Sequence, residues 1–201
     1  MQQPHKNKNG DAIMLLTRKT IFSVCEAQIK EDVFSDDKSL LLKINLKYPN
    51  IRCNKNDPLN SFAVPFYKKL ADGFWHFAKS ELLLSAKESY TISRDTFLPF
   101  AAVMKYEVTA ENAEYLSIMT DISISDGKSI PSTERKTQVW DRKSGLLCRY
   151  TDFITAEKTK ELQKKKLSKY DLFVLRNDKI EIFLRDGDGY RSFYENIENA
   201  R

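Results

Sequence analysis

The sequence is poor in the residues on which most catalytic and metal sites depend. It has two histidines, His5 and His76, so a histidine-based triad or metal cluster would have to use His76. The three cysteines, Cys25, Cys53 and Cys148, include no close pair and have no neighbouring histidine. We therefore expect free thiols, with neither a zinc site nor a CxxC redox pair nor a disulfide framework.

Long apolar runs are also missing. The longest uncharged one near the start, residues 12–16, is too short for a signal-peptide core or a membrane span, although an upstream signal or anchor stays an open question. Glycine and proline are sparse, with six of each in 201 residues, and 41% of the chain is hydrophobic. This composition is typical of a folded domain. We expect a polar, loosely ordered lead-in over residues 1–19 and a single domain over residues 20–201.

Charge of one sign is not concentrated enough to indicate a nucleic-acid-binding protein. The chain has 33 Lys and Arg residues against 28 Asp and Glu, a net charge of +5. Residues 158–169 are rich in lysine, but they lack interleaved aromatic residues and include Glu161. A solvated helix face is the better interpretation, so we do not expect nucleic acid as a partner.

The clearest pattern that is present is an apolar stripe with helical spacing. It consists of Leu59, Phe62, Phe66, Leu70, Phe74, Phe77, Leu82 and Ala86. Since proline is tolerated only in the first turn of a helix, Pro65 places the helix at about residues 63–90. A second helix is expected at about 155–169, with Thr155 as its cap and a thin apolar stripe.

Alternating apolar residues predict the strands. The expected pairs are Thr20–Phe34 with Leu40–Tyr48, Ala102–Val108 with Leu116–Ile124, Thr133–Trp140 with Leu146–Phe153, and Leu172–Leu175 with Ile180–Leu184. Pro49 is expected to close the first pair, because proline cannot donate to a sheet ladder. The resulting fold class is α+β, an antiparallel, meander-like sheet with both helices packed on it.

Two motifs invite a chemical interpretation. An EF-hand alignment of Asp186-Gly187-Asp188-Gly189 would put Leu184, which cannot bind calcium, at the first ligand position, so an acidic turn is the better interpretation. We expect no metal and no cofactor. The carboxylates Asp121, Glu134 and Asp141 could instead act near His76 in a hydrolase or transferase, provided that two of them lie roughly 5–10 Å apart.

The order of elements resembles a known family, the RsiV-type domain. The matching segments are Tyr48-Pro49-Asn50-Ile51, Phe66-Tyr67-Lys68-Lys69-Leu70, Ala78-Lys79-Ser80-Glu81-Leu82, Tyr106-Glu107-Val108-Thr109, Leu116-Ser117-Ile118, Trp140-Asp141-Arg142-Lys143-Ser144-Gly145 and Asp152-Phe153, followed by the last strand pair. This domain is the extracellular, membrane-anchored sensor of a Gram-positive anti-sigma factor and an accessory domain of peptidoglycan deacetylases. The resemblance implies helices against an antiparallel sheet and a non-enzymatic role.

The most characteristic loops of that family differ here. A Gly-Gly-Ala-His segment is replaced by residues 126–132, and an Asn-Pro-Tyr-Glu-like segment by residues 185–196. Lysozyme binding, known for the RsiV sensor, is therefore not implied for this chain.

The leading hypothesis is a non-catalytic binding or sensing module for a protein or cell-envelope component. It would bind through the exposed face of the sheet and the two divergent loops. The candidate binding residues are Lys128, Arg135, Trp140, Arg185, Asp186, Asp188 and Tyr190. Trp140 is a candidate because it is an aromatic residue whose sequence neighbours are charged.

Overall fold

The structure, a computed structural model, describes residues 22–164, 172–187 and 189–197. Their strands are β1 (Phe22–Phe34), β2 (Leu40–Cys53), β3 (Phe100–Glu111), β4 (Tyr115–Ser125), β5 (Ser132–Asp141), β6 (Leu172–Arg176), β7 (Lys179–Asp186) and β8 (Gly189–Asn196). The helices are α1 (Ala63–Phe77), α2 (Leu83–Ile92) and α3 (Ala156–Lys164). Strands β1 to β5 form one sheet in chain order, and β6 to β8 form a second. The expected α+β class is confirmed.

The first sheet is antiparallel except at its centre. There, β2 and β3 run parallel, from Leu42 opposite Phe100 to Leu46 opposite Met104. The long helix lies in the chain between these two strands, and a crossover of that kind joins parallel neighbours. The expected antiparallel meander is therefore found between β1 and β2 and from β3 to β5, but β2 and β3 do not follow it.

The long helix is bent and covers one side of the first sheet, which we call the helix face. A π-helical turn, Ala78–Leu82, joins α1 to α2 and absorbs an extra residue. The residues of this helix that are buried are Ala63, Tyr67, Ala71, Phe74, Ala78, Leu82 and Ala86. Over the first turns, the buried stripe lies one position later in the sequence than predicted. Ala63 and Ala71 approach the sheet there, whereas Phe62 is 50% exposed.

Two details of the strand prediction are wrong. Strand β2 continues through Pro49 to Cys53, because β3 pairs with β2 only as far as Leu46 and the missing N–H of Pro49 breaks no ladder there. The expected return strand Leu146–Phe153 is reduced to a single bridge between Trp140 and Leu147, followed by a short 3₁₀ helix.

The second sheet packs on the opposite side of the first, which we call the far face. The backbone N–H of Leu175 donates to Ser117 Oγ at 3.0 Å, and the N–H of Phe173 donates to Thr137 Oγ1 at 3.0 Å. Leu162 of α3 is buried in the same core as Phe173. Residues 165–169 of the expected second helix lie outside the described residues. Strand β8 was missed, because its burial alternates only weakly.

Candidate binding groove on the far face

A shallow groove of about 500 Å³ runs along the part of the far face that the second sheet leaves open. Its lining residues are Ala101, Val103, Lys105, Asp121, Ser123, Ile124, Ser125, Pro131 and Thr133. Strands β3, β4 and β5 place most of these residues, since alternate side chains of a strand point to the same face. Hydroxyl groups form its polar wall, where the Oγ of Ser123 and the Oγ1 of Thr133 lie 2.8 Å apart.

One end of the groove is closed by a bidentate ion pair. The Nε and Nη2 atoms of Arg135 donate to the two carboxylate oxygens of Asp121, at 2.8 and 2.7 Å. The hydrogen bonds to Asp121 raise the pKa of Arg135. The guanidinium carbon also lies 4.7 Å from the ring centroid of Phe183 and 5.2 Å from that of Tyr190. Arg135 is thereby fixed between the two sheets, and Asp121 is neutralised.

That pairing leaves Lys105 without the carboxylate that lies nearest to it in the sheet. It stands directly opposite Asp121 in the β3–β4 register, but the carboxylate of Asp121 is already bound by Arg135. Within the part of the chain that the structure describes, the exposed ammonium of Lys105 has no ion-pair partner. A free cation beside hydroxyl groups is suited to an anionic, hydroxyl-bearing ligand.

The loop between β4 and β5 borders the other end of the groove. Asp126 holds this loop by accepting hydrogen bonds from the backbone N–H groups of Lys128 (2.9 Å) and Ser129 (2.7 Å), which lower the pKa of its carboxyl. Gly127 has a φ of +79° and packs tightly against Leu98 and Pro99. The loop is therefore an ordered wall with the side chain of Lys128 exposed.

The structure brings several of the candidate binding residues together. The backbone N–H of Arg135 donates to the hydroxyl of Tyr190 at 2.9 Å, and Arg185 stands opposite Tyr190 in the β7–β8 register. Asp186 follows Arg185, is exposed and lies 3.9 Å from Arg191. Lys128 lies in the loop at the other end of the groove. Asp188 lies outside the described residues.

Trp140 points to the helix face instead. It is only 3% exposed, and its indole Nε1–H donates to the hydroxyl of the buried Tyr67 at 2.8 Å. Burial raises the pKa of Tyr67. Trp140 also borders a second, more apolar groove of about 590 Å³ with Phe62, Phe66 and Leu147. It joins the start of α1 to the end of β5 and takes no part in the far-face groove.

His76 and the carboxylates that we considered with it do not form one site. His76 is exposed on α1, on the helix-bearing side, and its ring contacts that of Trp75. Asp121 lies on the far face, Glu134 pairs with Lys136, and Asp141 caps the turn that follows β5. Among the described residues, no three His, Cys, Asp or Glu side chains are grouped as a metal site requires.

Sequence reasoning missed most of the lining of the groove. Lys105, Ser123 and Thr133 looked like ordinary outward residues of polar strands, and only the register shows that they converge. The available signal was the alternation of Asp121 and Ser123 with buried Ile122, which puts both polar residues on one face.

The fold and this groove define an α+β domain in which β6, the edge strand of the second sheet, packs on the far face of the first sheet and leaves part of that face open as a polar surface. No protein-family model matches the sequence, and no curated protein matches it. Solved structures do. A DUF3298 family member from Bacteroides fragilis is 14% identical with a TM-score of 0.59, covering 88% of this chain and 91% of that chain. A DUF3298 family protein from Pseudomonas aeruginosa is 9% identical with a TM-score of 0.52, covering 87% and 90%.

These similarities show the fold that the chain shares with DUF3298 proteins, a bacterial family of small domains. In the part of the chain that the structure describes, no helix has the length and apolarity needed to cross a membrane.

Proposed function

We propose that this chain is a non-catalytic binding module that recognises a protein or cell-envelope component through the far-face groove. The observation that carries the proposal is the unpaired ammonium of Lys105 beside the hydroxyls of Ser123 and Thr133, in a groove whose end is fixed by Arg135. The strands place Lys105, Ser123 and Thr133 on one face, and the bidentate ion pair fixes Arg135 and Asp121 before a ligand arrives, which reduces the entropy lost on binding.

The similarity to RsiV-type sensor domains supports the same proposal in finer form. We propose a sensor-like role at the cell envelope, with residues 20–201 acting as a single domain. The hydrogen bonds from β6 to Ser117 and Thr137 join the two sheets and support that unity. Of the two segments that differ from the RsiV-type domain, residues 126–132 border the groove, and Tyr190 of the other segment contacts Arg135 at the groove's end, so the ligand is expected to differ from that of the RsiV sensor.

The test is capture from a cell-envelope extract with the immobilised chain. We expect Lys105→Glu to reduce the captured ligand by roughly tenfold or more, because a hydrogen bond to a charged group contributes about 1.5–3 kcal/mol. A variant with the 126–132 loop replaced should show a comparable loss. Lys87→Glu is the matched control, since Lys87 is exposed on α2 at the other side of the sheet. Equal capture by all four proteins would contradict the proposal.

A further inference from the structure

Strand β1 forms the first edge of the large sheet. This strand is 13 residues long and pairs on one side with β2 from Phe22 to Phe34. None of the described residues forms a backbone hydrogen bond to its other side. Long open edges are templates for pairing with another strand, and proteins protect them with charges, bulges or partners.

The charges on β1 are arranged in a self-complementary way. Its exposed positions on the far face are Glu26, Gln28, Lys30 and Asp32. In an antiparallel pair of two β1 strands centred on Gln28, Glu26 of each copy stands opposite Lys30 of the other. The strand is also centred on Gln28, so this register gives the longest overlap, a regular ladder from Ser23 opposite Val33 up to the register irregularity between Val33 and Phe34.

Neighbouring registers are poorer. Centring the pair on Ile29 places Glu26 opposite Asp32, two like charges, and centring it on Ala27 leaves Lys30 opposite Val24. We propose that two copies of this chain associate through their β1 edges, antiparallel and centred on Gln28, to form one continuous sheet. The partner is thus a second copy, and the Glu26–Lys30 pairs select the register.

This pairing of two β1 strands has two-fold symmetry. A two-fold axis perpendicular to the sheet keeps each face on its own side, so both long helices lie on one side and both far-face grooves on the other. Glu26 already lies 2.9 Å from Lys47 within its own chain, and Lys30 of the other copy would add a second cation. The dimer would present two grooves in the same direction, an arrangement that favours avid binding to a repetitive surface.

Sedimentation over a range of protein concentrations tests the dimer. The wild-type mass should rise from 23.4 kDa towards twice that value. Lys30→Glu and Glu26→Lys should each weaken association by about tenfold or more, because each puts two like-charge pairs in place of two attractive ones. The double variant E26K/K30E should restore it. Lys43→Glu, an exposed change on the same face of β2, is the control and should leave association unchanged.

Cross-linking reports the register directly. Under mild oxidation Gln28→Cys should form a disulfide-linked dimer, since residues on the two-fold axis face each other at disulfide distance. The wild type, whose three cysteines are half-buried and form no disulfide, is the matched control and should not cross-link. The monomer mass at every concentration, a double variant no better than the single ones, or a dimer that Gln28→Cys fails to link would each overturn the proposal.

Discussion

Arg135 and Asp121 face each other across β4 and β5 as a bidentate ion pair on the far face. Their side chains are only 20% and 29% exposed, so water screens the pair weakly. The same guanidinium contacts Phe183 and Tyr190 of the second sheet. This one side chain therefore links the geometry of the groove to the packing of the two sheets.

We predict that Arg135→Lys lowers the free energy of unfolding by about 1–3 kcal/mol, because lysine keeps the charge but loses the planar fork and its ring contacts. Asp121→Asn should cost a similar amount. The two side chains contact each other, so the double variant should lose clearly less stability than the sum of the two single losses. Urea unfolding of the four proteins gives the coupling energy. Additive losses would show that the pair does not stabilise the sheet.

The fold was largely predictable because burial imposes a period on each element. The long helix was predicted at about 63–90 and lies at Ala63–Ile92 with its π-turn, and most strands fall within a few residues of their expected limits. The apolar stripe of the helix was placed correctly at Phe74, Leu82 and Ala86. Over the first turns its phase was wrong, because small alanines rather than phenylalanines allow the helix to lie close to the sheet there. Such a choice depends on the distance between layers, which the pattern of one segment does not contain.

The site was predictable only in part, for a related reason. Arg135 and Tyr190 were chosen from separate segments, and they do meet in the structure. Lys105 lies opposite Asp121 through strand register, and Trp140 binds Tyr67, which is 73 positions away in the chain. Both contacts are set by how the elements pair and pack, so local sequence could not reveal them.

Glu181, a residue of β7 that is only 5% exposed, makes the stability of the protein depend on pH. Burial alone would raise the pKa of Glu181, but hydrogen bonds from Arg176, Ser192 and Tyr194 outweigh it and lower the pKa. Arg176 also donates to Glu107 at 2.6 Å, which joins β6 to β3. The stabilisation is therefore present above the carboxyl's unfolded pKa of about 4.3 and is lost as the pH falls through the lower folded value.

Glu181→Gln should accordingly be less stable than the wild type by about 2–4 kcal/mol at pH 7, and the difference should shrink as the pH falls below about 4. Chemical unfolding measured between neutral and acidic pH follows both proteins. The control is Glu134→Gln, whose side chain is 60% exposed in a surface pair with Lys136 and should change stability by less than about 0.5 kcal/mol. A difference that stays constant across the pH range would contradict the argument.

The last prediction concerns the loop beside the groove and compares two glycines that share a left-handed conformation. Gly127 has a φ of +79° and Gly187 a φ of +60°. A Cβ on Gly127 would come within 2.6 Å of the Cβ of Leu98 and 3.0 Å of the carbonyl oxygen of Pro99, whereas a Cβ on Gly187 would meet nothing within 4 Å.

Gly187→Ala should therefore cost only the backbone strain, about 1 kcal/mol, while Gly127→Ala must also displace the loop from Leu98 and should cost clearly more. Thermal unfolding of both variants gives the comparison. Because the loop forms a wall of the groove, Gly127→Ala should also weaken ligand capture, and Gly187→Ala should leave it nearly unchanged. Equal losses of stability would mean that the close approach of Gly127 to Leu98 does not constrain the loop.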